Sequence, residues 1–296
     1  MRLYKRLLTF LAIRSSAVAY HFSFDVEVMV GTTTVSIPII RGMGLEHLFG
    51  SEEGVRRVIG HVLARSSGTF VDIGANIGQT LVKVAGCDKH RRYLGFELQP
   101  SCIGYLARLI DINHLRDFHI FPFGLSSRMS LGHLSIGGEA DPGASLVPEL
   151  RDRPYSISFP VILEPGDEIF RLLAEKVIAM VKIDVEGAEW QVLIGMKETL
   201  ARYEPILLLE ILPTEFLCGT HPLSEQVMEM VSQRRQGIAA IRRLTQSLGY
   251  RSFRILPSGR VEANDEFEMP VYDGALTNYL FLTERHVPIF TDIIAT

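Results

Sequence analysis

Four acidic stretches of this 296-residue chain each follow an apolar run of strand length. They are Asp72-Ile73-Gly74, Phe96-Glu97, the segment Lys182 to Gly187, and Glu210. Ligands of an open parallel sheet bind beyond the carboxyl ends of its strands, so the four stretches are expected to share one site. Carboxylates in such a site can accept hydrogen bonds from hydroxyls, attract a cation, or remove a proton during a reaction.

The first stretch continues into a turn with two glycines, Gly74 and Gly78, and then into a helical pattern. Glycine permits a sharp turn and a close approach of ligand to backbone, and the first turn of the helix offers unpaired N–H groups. This order of strand, turn and helix predicts a nucleotide-binding turn. Glu97 ends the next strand, where its carboxylate can accept both hydroxyls of an adenosine ribose.

Two classes of cofactor fit such a turn. A dinucleotide fingerprint requires G-x-G-x-x-G, whereas Asn76 and Gln79 occupy its second and third glycine positions. S-adenosylmethionine has no phosphate and carries a sulfonium and an ammonium, so the carboxylate of Asp72 favours it; alternatively, Asp72 bonds the amides of the turn. We therefore predict S-adenosylmethionine as the cofactor. The candidate cofactor-binding residues are Asp72, Gly74, Ala75, Asn76, Gly78, Thr80, Glu97 and Asp184.

The segment that begins at Lys182 supplies the candidate catalytic groups. Asp184 lies at the strand end nearest the expected methyl group and is the first candidate for a base that removes the acceptor's proton. Glu186 follows it, and Glu210 ends a later strand, where it either faces the acceptor or pairs with Lys182. Carboxylates this close can also hold a divalent cation, but no histidine accompanies them in this segment, and we predict no metal.

Further candidates are spread over the chain. Glu189 begins a helix, where its charge can favour the helix dipole, and His133 and His221 are possible bases in loops. Trp190 either packs against the sheet or stacks on a sugar ring. The Gly-, Pro- and Ser-rich segment 126–165 is expected to form the wall or lid of the substrate pocket, and 213–221 to help select the acceptor.

The elements that must position these residues alternate between strand and helix. This alternation predicts a doubly wound, mostly parallel α/β sheet closed by an antiparallel pair of strands. The predicted strands are 70–73, 92–97, 118–123, 179–183, 205–211, 250–256 and 278–282, and the predicted helices are 52–64, 77–86, 100–113, 167–174, 188–200 and 223–248.

The first 50 residues are expected to form an extension, and residues 51–296 the catalytic domain. Residues 22–40 contain two alternating patterns that predict a β-hairpin. The pattern of residues 1–20 predicts a basic amphipathic helix that packs on the rest of the protein or binds weakly to a membrane surface. A signal peptide is the alternative, but its apolar run is short and Arg14 interrupts it. The sequence contains no apolar run long enough to span a bilayer.

The composition and net charge of the chain limit the kinds of partner that it can bind. The net charge of −4 and the isoelectric point near 6.2 provide no basic field for nucleic-acid binding, so the expected substrate is a small molecule or a glycan. The three cysteines, Cys87, Cys102 and Cys218, have neither disulfide nor metal-ligand spacing. They are expected to be reduced, which favours a cytoplasmic location. Composition leaves the oligomeric state open.

Several of these stretches together resemble one family. F-V-D-I-G-A-N-I-G from Phe70, Phe96-Glu97, V-K-I-D-V-E-G-A-E from Val181 and P-I-L-L-L-E-I from Pro205 are similar to the FkbM family of S-adenosylmethionine-dependent methyltransferases. The resemblance covers about residues 70–211, and its most specific part is K-I-D-V-E-G-A-E. It implies a seven-stranded, Rossmann-like class I methyltransferase fold and O-methylation of a hydroxyl, often on a sugar or a polyketide-type product.

Carried over by position, the resemblance implies that Gly74, Asn76 and Gly78 shape the methionine pocket and that Glu97 holds the ribose. The stretch Phe123 to Ser126 takes the place that usually covers the adenine. Glu164-Pro165-Gly166-Asp167 replaces the Thr-Leu-Asp common in the family, which leaves the role of Asp167 open.

The predicted function is methyl transfer from S-adenosylmethionine to a hydroxyl of a sugar, polysaccharide or glycolipid. The alternatives are O-methylation of a polyketide-type product, a nicotinamide-dependent oxidoreductase, and a non-catalytic module that keeps the cofactor fold. Asn76 and Gln79 count against the oxidoreductase.

Overall fold

The computed structural model describes residues 21, 23–49, 52–138, 141–148, 154–211, 225–265, 267 and 276–294. The predicted N-terminal helix, Cys218, His221 and the segment 213–221 lie outside the described residues. Within those ranges, no helix is both long enough and apolar enough to cross a bilayer.

The strands and helices follow the predicted order. The strands are β1 (Phe24–Val30), β2 (Thr33–Ile39), β3 (Thr69–Ile73), β4 (Tyr93–Phe96), β5 (Phe118–Phe121), β6 (Gly124–Ser126), β7 (Ser130–Ile136), β8 (Ile157–Pro165), β9 (Ile178–Ile183), β10 (Ile206–Glu210), β11 (Arg251–Ile255), β12 (Val261–Ala263) and β13 (Asn278–Leu282). The helices are α1 (Glu53–Arg65), α2 (Gln79–Cys87), α3 (Pro100–Ile112), α4 (Gly166–Leu173), α5 (Glu189–Gly195), α6 (Lys197–Tyr203), α7 (Glu225–Ser247) and α8 (Val287–Phe290), with 3-10 turns at Leu45–Phe49 and Glu284–His286.

The main sheet has the order β12-β11-β13-β10-β9-β3-β4-β5. The strands from β10 to β5 are parallel, and β13, β11 and β12 pair antiparallel. The doubly wound, mostly parallel fold and its antiparallel closing pair are confirmed. The described sheet has eight strands rather than seven because the three residues Val261–Ala263 add a short edge strand to β11.

Both faces of the sheet are buried. Successive residues of a strand point to opposite faces, so Phe70 packs in the apolar cluster shared with α1, α2 and α3, while Val71 packs in the cluster shared with α4 to α7. A parallel sheet needs this covering on both sides, which is why its strands are almost wholly apolar. In α1 the helical spacing of Val55, Val58 and Val62 places all three in the first cluster.

The predicted hairpin is present as β1 and β2, and it belongs to the same core as the sheet. Ile37 and Ile39 are fully buried against α2 and α3. The Tyr105 hydroxyl of α3 donates to the Pro38 carbonyl at 2.9 Å. The amide of Asn113 exchanges two hydrogen bonds with the backbone of Ser36, at 2.8 and 2.7 Å. The division of the chain at residue 50 stays a prediction.

The helix predicted over 188–200 is divided in two at Met196, whose φ of −114° is not helical. Gly195, just before the break, lies directly against β6, since a Cβ on it would lie 1.9 Å from the Ser126 carbonyl oxygen. Asp167 then caps α6 from another helix. It accepts hydrogen bonds from the Thr199 backbone N–H and hydroxyl at 2.7 Å and from the Glu198 N–H at 3.1 Å.

Removing this cap tests its role. We expect Asp167→Ala to lower the free energy of unfolding by about 1–2 kcal/mol, because two N–H groups at the start of α6 lose their acceptor. Urea unfolding followed by circular dichroism measures the loss. Glu168→Ala, which removes only an exposed pair with Arg171, is the control and should change it by less than about 0.5 kcal/mol. Equal losses in the two variants would contradict the capping role.

Candidate functional site

A cavity of about 300 Å³ lies at the carboxyl ends of β3, β4, β9 and β10. It is lined by most of the residues that the sequence predicted: Gly74, Ala75, Asn76, Thr80, Glu97, Asp184, Glu186 and Glu210. Asp72 and Gly78 are not among the lining residues: Asp72 is fully buried, and Gly78 lies against the Leu106 side chain. His133 lies on the exposed face of β7 and does not line it either.

The glycine turn brings three elements together. Gly74 has a φ of +83°, and a Cβ there would lie 1.9 Å from the Asp184 carbonyl oxygen, so only glycine allows β3 and the loop after β9 to approach this closely. Gly78 has a φ of +86° and is the N-cap of α2, and a Cβ on it would meet the Leu106 side chain of α3 at 2.8 Å. Asn76, between them, also has a positive φ, of 47°.

Glu97 fastens this turn to the end of β4. Its carboxylate accepts backbone N–H groups from Asn76 at 2.6 Å, Leu98 at 2.8 Å and Gln99 at 2.7 Å. Burial raises the pKa of Glu97, and these three hydrogen bonds oppose the rise. A carboxylate has about four acceptor positions, so the position that remains can serve a ligand hydroxyl in the cavity.

The ammonium of Lys182 lies beneath the turn. Its Nζ is 3.0 Å from the Gly74 carbonyl oxygen, 3.1 Å from Asp184 Oδ2 and 3.4 Å from Asp72 Oδ1. Burial disfavours the charge on Lys182, but Asp184 and Asp72 outweigh it and raise its pKa. Asp72 is fully buried and accepts the Tyr93 hydroxyl at 2.5 Å. Asp72 therefore anchors Lys182.

Three carboxyl groups, Asp184, Glu186 and Glu210, stand together on one wall of the cavity. The Thr277 hydroxyl donates to Glu210 at 2.8 Å. The charge of Asp184, followed by burial and the charge of Glu186, raises the pKa of Glu210 to about 9. This raised pKa favours the protonated form of Glu210 at neutral pH. The described residues include no group of three or more side chains arranged to hold a metal ion.

The loop that carries Glu186 is held from two sides. Glu186 has a φ of +56°, and Glu189 accepts the backbone N–H groups of Val185 at 3.2 Å and Gly187 at 3.0 Å. From the opposite side, the Ser145 hydroxyl donates to the Glu186 carbonyl oxygen at 3.0 Å. Glu189 thus fixes the shape of the loop that presents Glu186.

The described part of the segment 126–165 forms one wall of the cavity. This wall depends on a contact that the sequence analysis missed. The Gln99 side chain donates to the Asp141 carbonyl oxygen at 2.8 Å and accepts the Asp141 N–H at 2.9 Å. The Asp141 carboxylate in turn accepts the N–H groups of Gly137 and Gly143. No spacing signal marks a single glutamine after a strand, and its partner lies 42 residues away.

Other lining residues also escaped the sequence analysis. Gly124 and Leu125 line the cavity as the family resemblance implied, whereas Phe123 packs edge-on against Phe96. Glu52 and Asn278 line the cavity although neither belongs to a recognised motif. The Asn278 amide donates to the Glu52 carboxylate at 3.2 Å. Further apolar lining residues include Val55, Leu98, Leu134, Ala144 and Leu146.

A scan of protein families matches the model described as the methyltransferase FkbM domain over residues 72–252. The chain belongs to the FkbM methyltransferase family. This membership confirms the predicted class of enzyme, a methyltransferase, and its cofactor, S-adenosylmethionine. Membership of this family also argues against the alternative of a nicotinamide-dependent oxidoreductase.

Solved structures are similar at low identity. An FkbM methyltransferase from Methylobacillus flagellatus is 15% identical over 73% of this chain, with a TM-score of 0.41, and this chain spans 43% of that protein's length. A methyltransferase from Podospora anserina, solved with S-adenosylhomocysteine, is 11% identical over 93% of this chain and 96% of its own, with a TM-score of 0.46. No curated protein matches the chain.

The hydrogen bonds of Glu97 make a prediction about cofactor binding. In Glu97→Gln the new NH₂ group cannot accept, so at least one of the three N–H groups loses its acceptor, and the turn of this FkbM domain loosens. We expect the affinity for S-adenosylhomocysteine, measured by calorimetry, to fall about tenfold or more. Glu262→Gln, on the edge strand β12, should leave it unchanged. An unchanged affinity in Glu97→Gln would contradict this role.

The raised pKa of Glu210 makes a prediction about stability. The unfolded chain releases this proton near pH 4.3 and the folded chain near pH 9. Stability therefore falls as the pH rises through this window, since the unfolded state binds fewer protons. Glu210→Gln removes this cost.

The melting temperature of Glu210→Gln should exceed that of the parent near pH 8 by at least about 2–4 °C, the shift that about 1 kcal/mol produces in a domain of this size, and match it near pH 4. Thermal unfolding at a series of pH values measures the difference. Glu262→Gln, whose carboxylate is much more exposed, serves again as control. A lower melting temperature for Glu210→Gln at pH 8 would count against a protonated Glu210.

Proposed function

We propose that this chain transfers a methyl group from S-adenosylmethionine to a hydroxyl of a sugar, polysaccharide or glycolipid. The observation that carries the proposal is the wall of three carboxyl groups, Asp184, Glu186 and Glu210, which borders the cavity at the strand ends. A hydroxyl placed against this wall meets both a base for its own proton and acceptors for neighbouring hydroxyls.

The cavity suits the proposed cofactor in charge and in surface. The acidic wall favours a sulfonium and an ammonium and disfavours a pyrophosphate. Gly74, Ala75, Asn76 and Thr80 would hold the methionine part, and Glu97 the ribose. The adenine would lie against the apolar lining that includes Leu98, Leu125 and Leu146.

When bound, S-adenosylmethionine supplies an electrophilic methyl group for in-line displacement by the acceptor oxygen. The protein's part is to align and to deprotonate the acceptor. Alignment of two reactants is worth effective molarities on the order of 10⁵ M or more. Asp184 would accept the hydroxyl proton, and Lys182, 3.1 Å away, would keep the Asp184 carboxylate in place. Glu186 would accept a hydrogen bond from a second hydroxyl.

The protonated carboxyl group of Glu210 would help to orient the proposed base, Asp184. A protonated Glu210 beside Asp184 is a donor, so it can orient the base without adding another negative charge. An acceptor with adjacent hydroxyls uses this arrangement better than one with a single hydroxyl, which favours a sugar over a polyketide-type product. The cytoplasmic location expected from the separate cysteines stays a prediction.

The test uses methyl-labelled S-adenosylmethionine with polysaccharide and lipid fractions of cells as acceptors. We expect transfer of label, and we expect Asp184→Asn and Glu186→Gln to reduce its rate by about 10²–10⁴-fold, the usual contribution of a positioned base. Binding of S-adenosylhomocysteine, measured by calorimetry, should stay within a few-fold of the parent in both variants.

Asp111→Asn, an exposed change at the end of α3, is the matched control and should alter neither quantity. Full transfer by Asp184→Asn and Glu186→Gln would disprove the proposed roles of these carboxylates. A chain that binds S-adenosylhomocysteine but labels no fraction would support the non-catalytic alternative.

A further inference from the structure

A second, smaller cavity of about 40 Å³ adjoins the large one on the side of α7. The residues that the two cavities share are Asp184, Glu186 and Glu210. The three carboxyl groups therefore separate two spaces. A group in the smaller cavity touches the same carboxyl groups that border the cofactor cavity, which is the relation that an acceptor must have to its methyl donor.

The smaller cavity has an aromatic wall. Trp190, in the first turn of α5, is half-buried and packs against α7 at Gly237. A Cβ on Gly237 would lie 3.2 Å from Trp190 Cδ1, so glycine allows the indole to rest directly on the helix. Gln233, one turn earlier, adds an amide whose Nε2 donates to Glu229 at 2.7 Å.

We infer that this cavity is the acceptor site and that it takes a neutral, polyhydroxylated ring stacked on Trp190. The inference rests on the proposed function and deepens it. An indole offers a flat apolar surface to the C–H face of a sugar ring. The carboxyl groups and Gln233 accept hydrogen bonds from its hydroxyls. The carboxylates of Asp184 and Glu186 disfavour an anionic substituent placed beside the reacting carbon, where the two cavities meet. Arg234 also lines the smaller cavity, on the side of α7.

The size of the cavity decides how the ring lies. A volume of about 40 Å³ holds a few water molecules or one hydroxyl-bearing carbon. The carbon whose hydroxyl is methylated therefore enters the cavity between the carboxyl groups, and the rest of the ring lies outside, over the indole. Trp190 and Gln233 are thus the proposed specificity-determining residues.

Trp190 is the only tryptophan of the chain, so its fluorescence reports on this cavity directly. The experiment saturates the protein with S-adenosylhomocysteine and titrates methyl glucoside, methyl galactoside and methyl mannoside. Methyl glucuronide is the matched anionic probe. We expect a saturable change of fluorescence with at least one neutral glycoside, and binding of the glucuronide about tenfold weaker or more.

Two pairs of variants localise the binding. Gly237→Ala, whose Cβ would push the indole by a few tenths of an ångström, should weaken glycoside binding about three- to tenfold. Gly104→Ala, at a helical glycine with no atom near the added Cβ, should not. Gln233→Ala should also weaken it, and the exposed Gln236→Ala should not. Calorimetry with S-adenosylhomocysteine should give the parent affinity in all four. If Gly237→Ala does not fold, the glutamine pair carries the test.

The outcomes separate this inference from the function on which it rests. Normal binding of S-adenosylhomocysteine, with no response to any neutral glycoside or with equal binding of the glucuronide, overturns the acceptor site and leaves the methyltransferase proposal standing. Equal effects of each variant and its control also overturn it. No binding of S-adenosylhomocysteine overturns the proposed function and this inference with it.

Discussion

A single buried ammonium group, that of Lys182, joins the two strand ends on which the site is built. It contacts the Gly74 carbonyl at the end of β3 and the Asp184 carboxylate at the end of β9, with Asp72 behind it. A buried charge is costly unless it is paired and hydrogen-bonded, and breaking such a pair commonly costs about 3–5 kcal/mol. The cofactor turn and the proposed base are therefore held in one fixed relation.

The same region shows how closely the backbone is packed around this charge. Gly74 leaves no room for a side chain beneath Asp184, and Asn76 and Glu186 both have positive φ values. Such conformations are unfavourable for ordinary residues and persist only where the surroundings determine them. Here the three hydrogen bonds to Glu97 supply much of that support. These unfavourable backbone conformations occur where a ligand must approach the backbone.

The three carboxyl groups of the acidic wall, unlike the contacts of Lys182, lower the stability of the folded chain. Asp184 and Glu186 raise the pKa of Glu210, and the chain must keep a proton there that it would release when unfolded. An apolar wall would be more stable. Proteins accept such local conflicts at functional sites, and this one suits a cationic methyl donor and an acceptor with several hydroxyls. The low net charge of the whole chain gives no hint of this concentration of carboxyl groups.

The sequence by itself determined the fold class, the glycine turn, and the carboxylates at the strand ends, because apolar periodicity and strand-end chemistry are local properties of the chain. Most predicted site residues accordingly line one cavity. Only the tertiary structure decided that Asp72 supports Lys182, that Asp167 caps α6, and that Trp190 lies on Gly237. Those roles depend on contacts between segments that are distant in the sequence, and hydrophobic periodicity does not predict such contacts.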